Sequence, residues 1–347
     1  VTAAERPPEK RPPPARPTTL ADIAREAGTS PATASRALSG SGYVSAAARA
    51  RLLEAADRLG YVPNASARTL KHKTSRIVGV AVSDLSNEFY ARLAAGIEQT
   101  LRASNYEMVL TSDNNEMKRE LAGARAFLAM RAPGVILTPV GREAVAALMR
   151  RGVAVVEVDR RVADVPCDAV VIDNERGGFD ATSHLLDLGH RRIALLVADT
   201  DWTTDAGRLR GYVGAHEVAG VPVDDRLILP VRHDARDTEE RIGALLDVDR
   251  PTAIFAANNQ LSREAWRVLR RRALRLPSDV SLVGFDDTPW MEMVEPGITA
   301  VAQPTTELGR RAASLLLRRI ENGGGEPAVE ILQPSLVVRG SSGPAGQ

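Results

Sequence analysis

One cysteine, Cys167, stands in 347 residues. A lone thiol excludes an intramolecular disulfide framework and a metal site built from several cysteines. Its place beside Pro166, between strand-like runs, reads as a packed or loop residue rather than a reactive thiol. Long apolar runs are missing as well, and no stretch approaches the length that spans a bilayer. The opening VTAAERPPEKRPPPARP holds no apolar segment of the kind a secretory signal carries, so a cytoplasmic protein is expected. The five histidines, His72, His184, His190, His216 and His233, show no metal-ligand spacing. A glycine-rich phosphate loop, a nucleophile elbow and paired metal ligands are also missing. The sequence therefore nominates no catalytic residue, no metal ligand and no cofactor, and an enzyme is not expected.

What is present begins with charge. The net charge is only +1, but it is unevenly spread. Val1 to Arg76 holds 13 Lys and Arg against 6 Asp and Glu, and the remainder holds 32 against 38. A basic head on an acidic body points to a head that meets a polyanion.

The chain divides into five segments. Residues 1–17, rich in proline and charge, are expected to be a disordered tail. Residues 18–62 carry three short helical signals and no strand signal. Thr19 caps the first helix, with Asp22 favouring its N-terminus, and Gly28 ends it. Ser30 caps the second. Ser45 caps the third, which carries Leu52, Leu53, Ala56 and Leu59 and stops at Gly60. A helix, a tight turn at Gly28-Thr29 and a second short helix form the helix-turn-helix pattern. Residues 63–76 follow Pro63, with Asn64 able to cap a segment too short to be a stable helix alone. Residues 77–340 alternate short apolar runs (IVGVAV, MVL, GVIL, VAVVEV, AVVI, IALLV, AIFAA, VSLVGF) with helical stretches such as Tyr90–Ala103, Arg176–Leu188 and Gln260–Leu274. That is the texture of a doubly wound α/β body with parallel sheets, long enough for two lobes with a cleft at the carboxyl ends of the strands. Residues 341–347, SSGPAGQ, are expected to be a disordered tail.

The second helix of the head, in TSPATASRALSG, has little to bury. Ala34, Ala37 and Leu38 serve its inner side. Its other residues are small, which suits a helix that lies deep in the major groove. Thr33 and Ser35 can bond phosphates or base edges, Pro31 and Ala32 can touch bases including a thymine methyl, and Arg36 can pair in bidentate fashion with guanine.

The stretch TLADIAREAGTSPATASRALSGSGYVSAAARARLLEAADRLGYVPNASARTL resembles the DNA-binding head of the LacI/GalR family of bacterial repressors nearly position by position. The resemblance runs on to Arg339 through SNEFYARLAAGIE, VDRR, VVIDN, HLLDLGHRRIALL, RLRGY, AIFAANNQ, LPSDVSLVGFDD and QPTTELGRRAASLLL. It implies an all-α helix-turn-helix head on an α/β, two-lobed, periplasmic-binding-protein-like body. It also implies a homodimer on double-stranded operator DNA, a pseudo-palindrome with a central CG step, repressing carbohydrate-utilisation genes until a small sugar-like effector releases it. Inducer and corepressor remain open alternatives. The implied DNA-contacting set is Thr19, Ser30, Pro31, Ala32, Thr33, Ser35 and Arg36 in the head and Asn64, Ala67, Leu70 and Lys71 in the hinge. Leu70 matches the intercalating leucine, Ala67 the small residue that lets hinge helices approach, and Lys71 a position beside the groove.

For the effector, the resemblance implies Phe89, Tyr90 and Asp159 in one lobe and Arg208, Asn258, Asp286 and Gln303 in the other. Trp202 and Trp290 fall in matching loops, with a cleft-lining role and a core role evenly balanced for each. Arg208 and Asp286 have a structural alternative, a mutual ion pair. Two positions depart from the family pattern: Glu88 replaces a frequent proline, and Asn259 replaces a frequent aspartate. The segment after Arg339 holds no leucine heptad, which favours a dimer over a tetramer. An extracytoplasmic sugar-binding protein and an enzyme on a doubly wound sheet are the competing classes. The basic head and the missing catalytic motifs weigh against them.

Overall fold

The computed structural model describes residues 16, 18–39, 42–61, 75–162, 165–198, 200, 202–231 and 235–346. They fall in two units, Val1–Lys73 and Thr74–Gln347. The expected tail 1–17, apart from Arg16, and the hinge candidates Asn64, Ala67, Leu70 and Lys71 lie outside the described residues.

The head holds three helices: α1 (Leu20–Glu26), α2 (Pro31–Ser39) and α3 (Ala46–Arg58). Local chemistry fixes their ends. Thr19 and Asp22 close a capping box at the start of α1, satisfying amides that the first turn leaves unpaired. Gly28 takes a φ of +65°, the left-handed conformation that ends a helix at least cost when no Cβ is present. The next amide, Thr29, then donates back to the Ala24 carbonyl at 2.8 Å. Ser30 Oγ accepts from Thr33 N at 3.1 Å and Ser45 Oγ from Ala48 N at 3.3 Å, opening α2 and α3. Ile23, Ala24, Ala34, Ala37, Leu52 and Ala55 close the small core.

The body is built on two six-stranded sheets. The first contains β1 (Ile77–Val82), β2 (Glu107–Ser112), β3 (Gly134–Leu137), β4 (Ala154–Val158), β5 (Asp168–Ile172) and β11 (Val329–Leu332), in the order β11-β5-β4-β3-β1-β2. The second contains β6 (Ile193–Ala198), β7 (Ile228–Val231), β8 (Ala253–Ala256), β9 (Ser281–Phe285), β10 (Thr299–Ala302) and β12 (Ser335–Val337), in the matching order β12-β10-β9-β8-β6-β7. Every pairing is parallel except β10 with β12. In each lobe the order reverses beside the first strand, the crevice where open α/β sheets place their sites. Strands β3, β5, β6, β8 and β9 are buried along their whole length, as near-continuous apolar runs require. Four strands lay outside the eight expected runs: β7, β10, β11 and β12. Three of them are only part-buried, and all are four residues or fewer.

The remaining helices are α4 (Glu88–Ala103), α5 (Met117–Ala129), α6 (Arg142–Met149), α7 (Asn174–Asp187), α8 (Thr203–Val218), α9 (Ala235–Val248), α10 (Asn259–Arg271), α11 (Trp290–Met293) and α12 (Thr305–Asn322). Each lobe has one closely packed helix pair. In the first lobe α4 meets α12, and a Cβ on Gly96 would lie 2.2 Å from the Thr306 carbonyl oxygen. In the second α7 meets α8, and a Cβ on Gly178 would lie 2.3 Å from the Arg208 carbonyl oxygen. No helix among the described residues is long and apolar enough to cross a membrane.

The expectation of a disordered segment from 341 is corrected. Ser341 is fully buried. Its backbone accepts from Leu282 N and donates to the Gly297 carbonyl, and its Oγ accepts from Thr299 N at 2.8 Å. The segment supplies hydrogen-bond partners to β9 and β10, and composition alone gave no sign of this.

Candidate DNA-reading helix and effector cleft

In the head, α2 turns Ala34 and Ala37 into the core. Pro31, Ala32 and Arg36 are exposed, and Thr33 and Ser35 are half-buried. The outward surface therefore combines small side chains, which admit a close approach, with one guanidinium able to read a guanine edge. Thr19 and Ser30 are engaged in capping, Thr19 donating its hydroxyl to Asp22 at 2.6 Å and Ser30 meeting Thr33 Oγ1 at 2.9 Å.

In the body, one cleft draws residues from both lobes. Phe89, Tyr90, Asp159, Trp202, Arg208, Asn258, Asp286 and Gln303 all line it. Trp290 does not. It packs at 5.8 Å from Trp266 against the core of the second lobe, so the core alternative holds for Trp290 and the lining alternative for Trp202. Glu88, which stands where the family often has proline, pairs with Arg92 one turn along α4 and does not line the cleft.

Arg208 is buried and held on three sides. Its Nε donates to Asn174 Oδ1 at 2.9 Å, its Nη1 donates to the Ala257 carbonyl at 2.6 Å, and its guanidinium lies 3.8 Å over the Phe285 ring. Such a planar fork, fixed by hydrogen bonds and stacking, is pre-organised for ligand oxygens. Asp286 follows β9 and accepts from Asn259 N at 3.1 Å and from the Gln303 side-chain amide. No ion pair joins Arg208 to Asp286 among the described residues: Arg208 bonds Asn174 and Ala257, and Asp286 bonds Asn259 and Gln303.

Asp159 follows β4 and is buried, with Tyr90 Oη donating to it at 3.4 Å. Burial pushes its carboxyl up to about 6, against the pull of Arg160 and Arg208. The Tyr90 phenol is driven up by burial and then by Asp159. Asn258 caps α10 through Leu261 N at 2.8 Å.

Several lining residues were not singled out by sequence reasoning: Asp84, Asn87, Asn115, Arg160, Asp205 and Gln260; Asn259, noted only as a departure from the family pattern, lines the cleft as well. Arg160 is the most unexpected. It is buried, donates to Asn115 at 2.9 Å and to Ser83, and stacks 3.6 Å over Trp202. The signal for it was its place directly after Asp159, at the carboxyl end of a strand. Among the described residues no group of three or more His, Cys, Asp or Glu could hold a metal ion.

Residues 19–64 match the family described as bacterial regulatory proteins, lacI family, and residues 182–342 match the periplasmic binding protein-like domain. The chain is 34% identical over 336 residues to the HTH-type transcriptional regulator DegA of Bacillus subtilis (strain 168), covering 94% of this chain and 98% of that protein. The chain belongs to the LacI family. Its relatives are transcriptional regulators, and this LacI-family chain is a regulator rather than an enzyme. Among solved structures it is similar to a complex of the transcriptional regulator CelR with cellobiose, at 32% identity and a TM-score of 0.71, covering 93% of this chain and 99% of that one. It is also similar to the lac repressor dimer bound to operator and the anti-inducer ONPF, at 26% identity and a TM-score of 0.82, covering 94% and 100%.

Proposed function

We propose that this regulator is a homodimeric repressor of carbohydrate-utilisation genes, released from a pseudo-palindromic operator by a small sugar-like effector. The observation that carries the reading is the cleft. A stacked, hydrogen-bonded guanidinium (Arg208), carboxylates (Asp159 and Asp286) and side-chain amides (Asn258 and Gln303) converge beside aromatic rings. Hydroxyls bond charged groups well, and aromatic rings pack on the C–H face of a sugar. The likeness to a cellobiose-bound regulator supports a sugar. The operator half rests on the exposed small face of α2 with Arg36. In this reading Leu70, Ala67, Asn64 and Lys71 form the hinge that enters the minor groove, and Leu70 wedges a flexible central step.

The test has two arms. Sequence selection from random duplexes should return a pseudo-palindrome with a central CG, bound with an affinity that falls steeply as salt rises. A thermal-shift screen of the body against pentoses, hexoses, disaccharides, sugar acids and purines should show a concentration-dependent rise for a sugar, and that sugar should lower operator affinity. Retention of the operator at saturating ligand would overturn release. Tighter operator binding would make the ligand a corepressor.

A further inference from the structure

Asn259 opens α10 in the second lobe and is 6% exposed. It makes two bonds in different directions. Its backbone N–H donates to Asp286 Oδ2 at 3.1 Å, within its own lobe. Its side-chain Nδ2 donates to Asn87 Oδ1 at 2.7 Å, in the other lobe. The assignment of donor and acceptor is not arbitrary. Asn87 caps α4, and its Oδ1 also accepts from Phe89 N at 3.0 Å, so that atom is fixed as oxygen and Asn259 must present nitrogen. One residue on, Gln260 Nε2 donates to Asp84 Oδ2 at 3.3 Å, again across the lobes. The other oxygen of Asp84 is held by Ser86 N at 2.8 Å and Ser86 Oγ at 2.7 Å. Both acceptors are thus anchored on the first lobe, and both donors sit on the first turn of α10.

We propose that Asn259–Asn87 and Gln260–Asp84 form a latch by which the chain's own side chains hold the two lobes closed independently of any effector. A cleft of this kind usually closes because a ligand bridges its walls. Here amides make the bridge themselves. The latch is also wired to the candidate ligand contacts. Gln303 donates to Asp286, Asp286 accepts from Asn259 N, and Asn259 crosses to Asn87. A ligand that re-orients Asp286 or Gln303 therefore acts directly on the closing bond.

The latch depends on a donor at 259. Asn259→Asp presents an oxygen to the fixed Oδ1 of Asn87 and adds a negative charge beside Asp286 and near the anchored Asp84, so it opposes closure twice over. Asn259→Ala only removes the bond. The test is a distance measurement by pulsed electron spin resonance on the full chain, with nitroxides at Lys118→Cys on α5 and Glu217→Cys on α8, both exposed positions in different lobes. The native Cys167 is buried at 2% exposure and should escape labelling. An excess of unlabelled chain keeps the readout within one chain, and neither DNA nor ligand is added. The expected result is one narrow distance distribution for the parent protein, a longer and broader one for Asn259→Asp, and an intermediate one for Asn259→Ala. Identical distributions for parent and Asn259→Asp would overturn the latch, as would a parent distribution already as broad as that of the variant. Circular dichroism checks the fold. If Asn259→Asp is unfolded, Gln260→Ala gives the same reading from the half-buried side of the latch. With no operator or sugar in the sample, failure here leaves the repressor reading untouched.

Discussion

Asp159 and Asp286 occupy equivalent places in the two lobes. Each follows the fourth strand of its sheet, each has a positive φ (72° and 78°), and each donates its backbone N–H to the fifth strand, at 3.1 Å to Val170 O and 2.8 Å to Val301 O. Aspartate is among the few residues that enter this left-handed region at modest cost. The repeat ends there, because the surroundings differ. Asp159 is buried under Tyr90 with its carboxyl pushed up to about 6, whereas Asp286 is bonded by a backbone amide and a glutamine.

That difference makes Asp286 the better candidate anchor for a ligand hydroxyl. Asp286→Asn keeps the backbone preference and removes the charge. A hydrogen bond to a charged group is worth about 1.5–3 kcal/mol, so the dissociation constant of the effector should rise by roughly 10- to 100-fold. The melting temperature without ligand should change little. Isothermal titration calorimetry and a thermal melt decide it, and unchanged affinity removes Asp286 from the site.

What the sequence made legible follows from the range of the interactions. The head's caps at Thr19, Ser30 and Ser45 and its stop at Gly28 act within a few residues, so each could be read locally and each is seen. The doubly buried strands could be read from apolar runs. Strands β11 and β12 could not, since they are short, half-exposed edges added from the far end of the chain. Trp202 and Trp290 look alike in sequence. Only the fold sets Trp290 against Trp266 and Trp202 under Arg160. The Asn87–Asn259 bond spans 172 residues, and no local pattern announces it.

The α7–α8 pair places Arg208, and its glycines are testable. A methyl on Gly178 would sit 2.3 Å from the Arg208 carbonyl oxygen, which is backbone and cannot swing away. Overpacking typically costs about 1–3 kcal/mol, so Gly178→Ala should lower the urea midpoint. It should also weaken ligand binding by displacing Arg208 from Ala257 O. Gly123 in α5 is the contrast. Its methyl would meet only Thr111 Oγ1 at 3.5 Å, and Gly123→Ala should gain up to about 1 kcal/mol. Equal behaviour of the two variants would refute the tight-packing account.

Arg36 is exposed on a helix whose core face is made by Ala34 and Ala37. Arg36→Ala should therefore leave the head folded. If Arg36 reads a guanine, the selected operator should lose about 1–3 kcal/mol of affinity for each half-site, while affinity for random duplex changes far less. Fluorescence anisotropy on both duplexes separates these outcomes. An equal loss on both would make Arg36 a phosphate contact.

Glu157 offers a pH test in a difference curve. It lies fully buried in β4, with Oε1 accepting from Val162 N at 3.3 Å and the Arg161 Nε 3.9 Å from Oε2. Burial pushes its carboxyl up from 4.5 to about 7, and Glu120, itself pushed up to about 7, adds to the rise. A carboxyl whose folded pKa exceeds its unfolded one binds its proton more tightly in the folded state. Its contribution to stability is then full below about 4.5 and is lost as pH rises through about 7. The half-buried His184 and the buried His190 act in the opposite sense, because their folded pKa values are lowered by desolvation and their contribution falls away below 6.5. The parent profile is therefore a composite. Glu157→Gln isolates one component, since it cannot ionise and still offers an oxygen to Val162 N. The variant and the parent should have matching urea midpoints at pH 4, below the unfolded value, and the variant should have the higher midpoint at pH 8. Parallel profiles across that window would show that Glu157 ionises in the folded chain as freely as it does in the unfolded one.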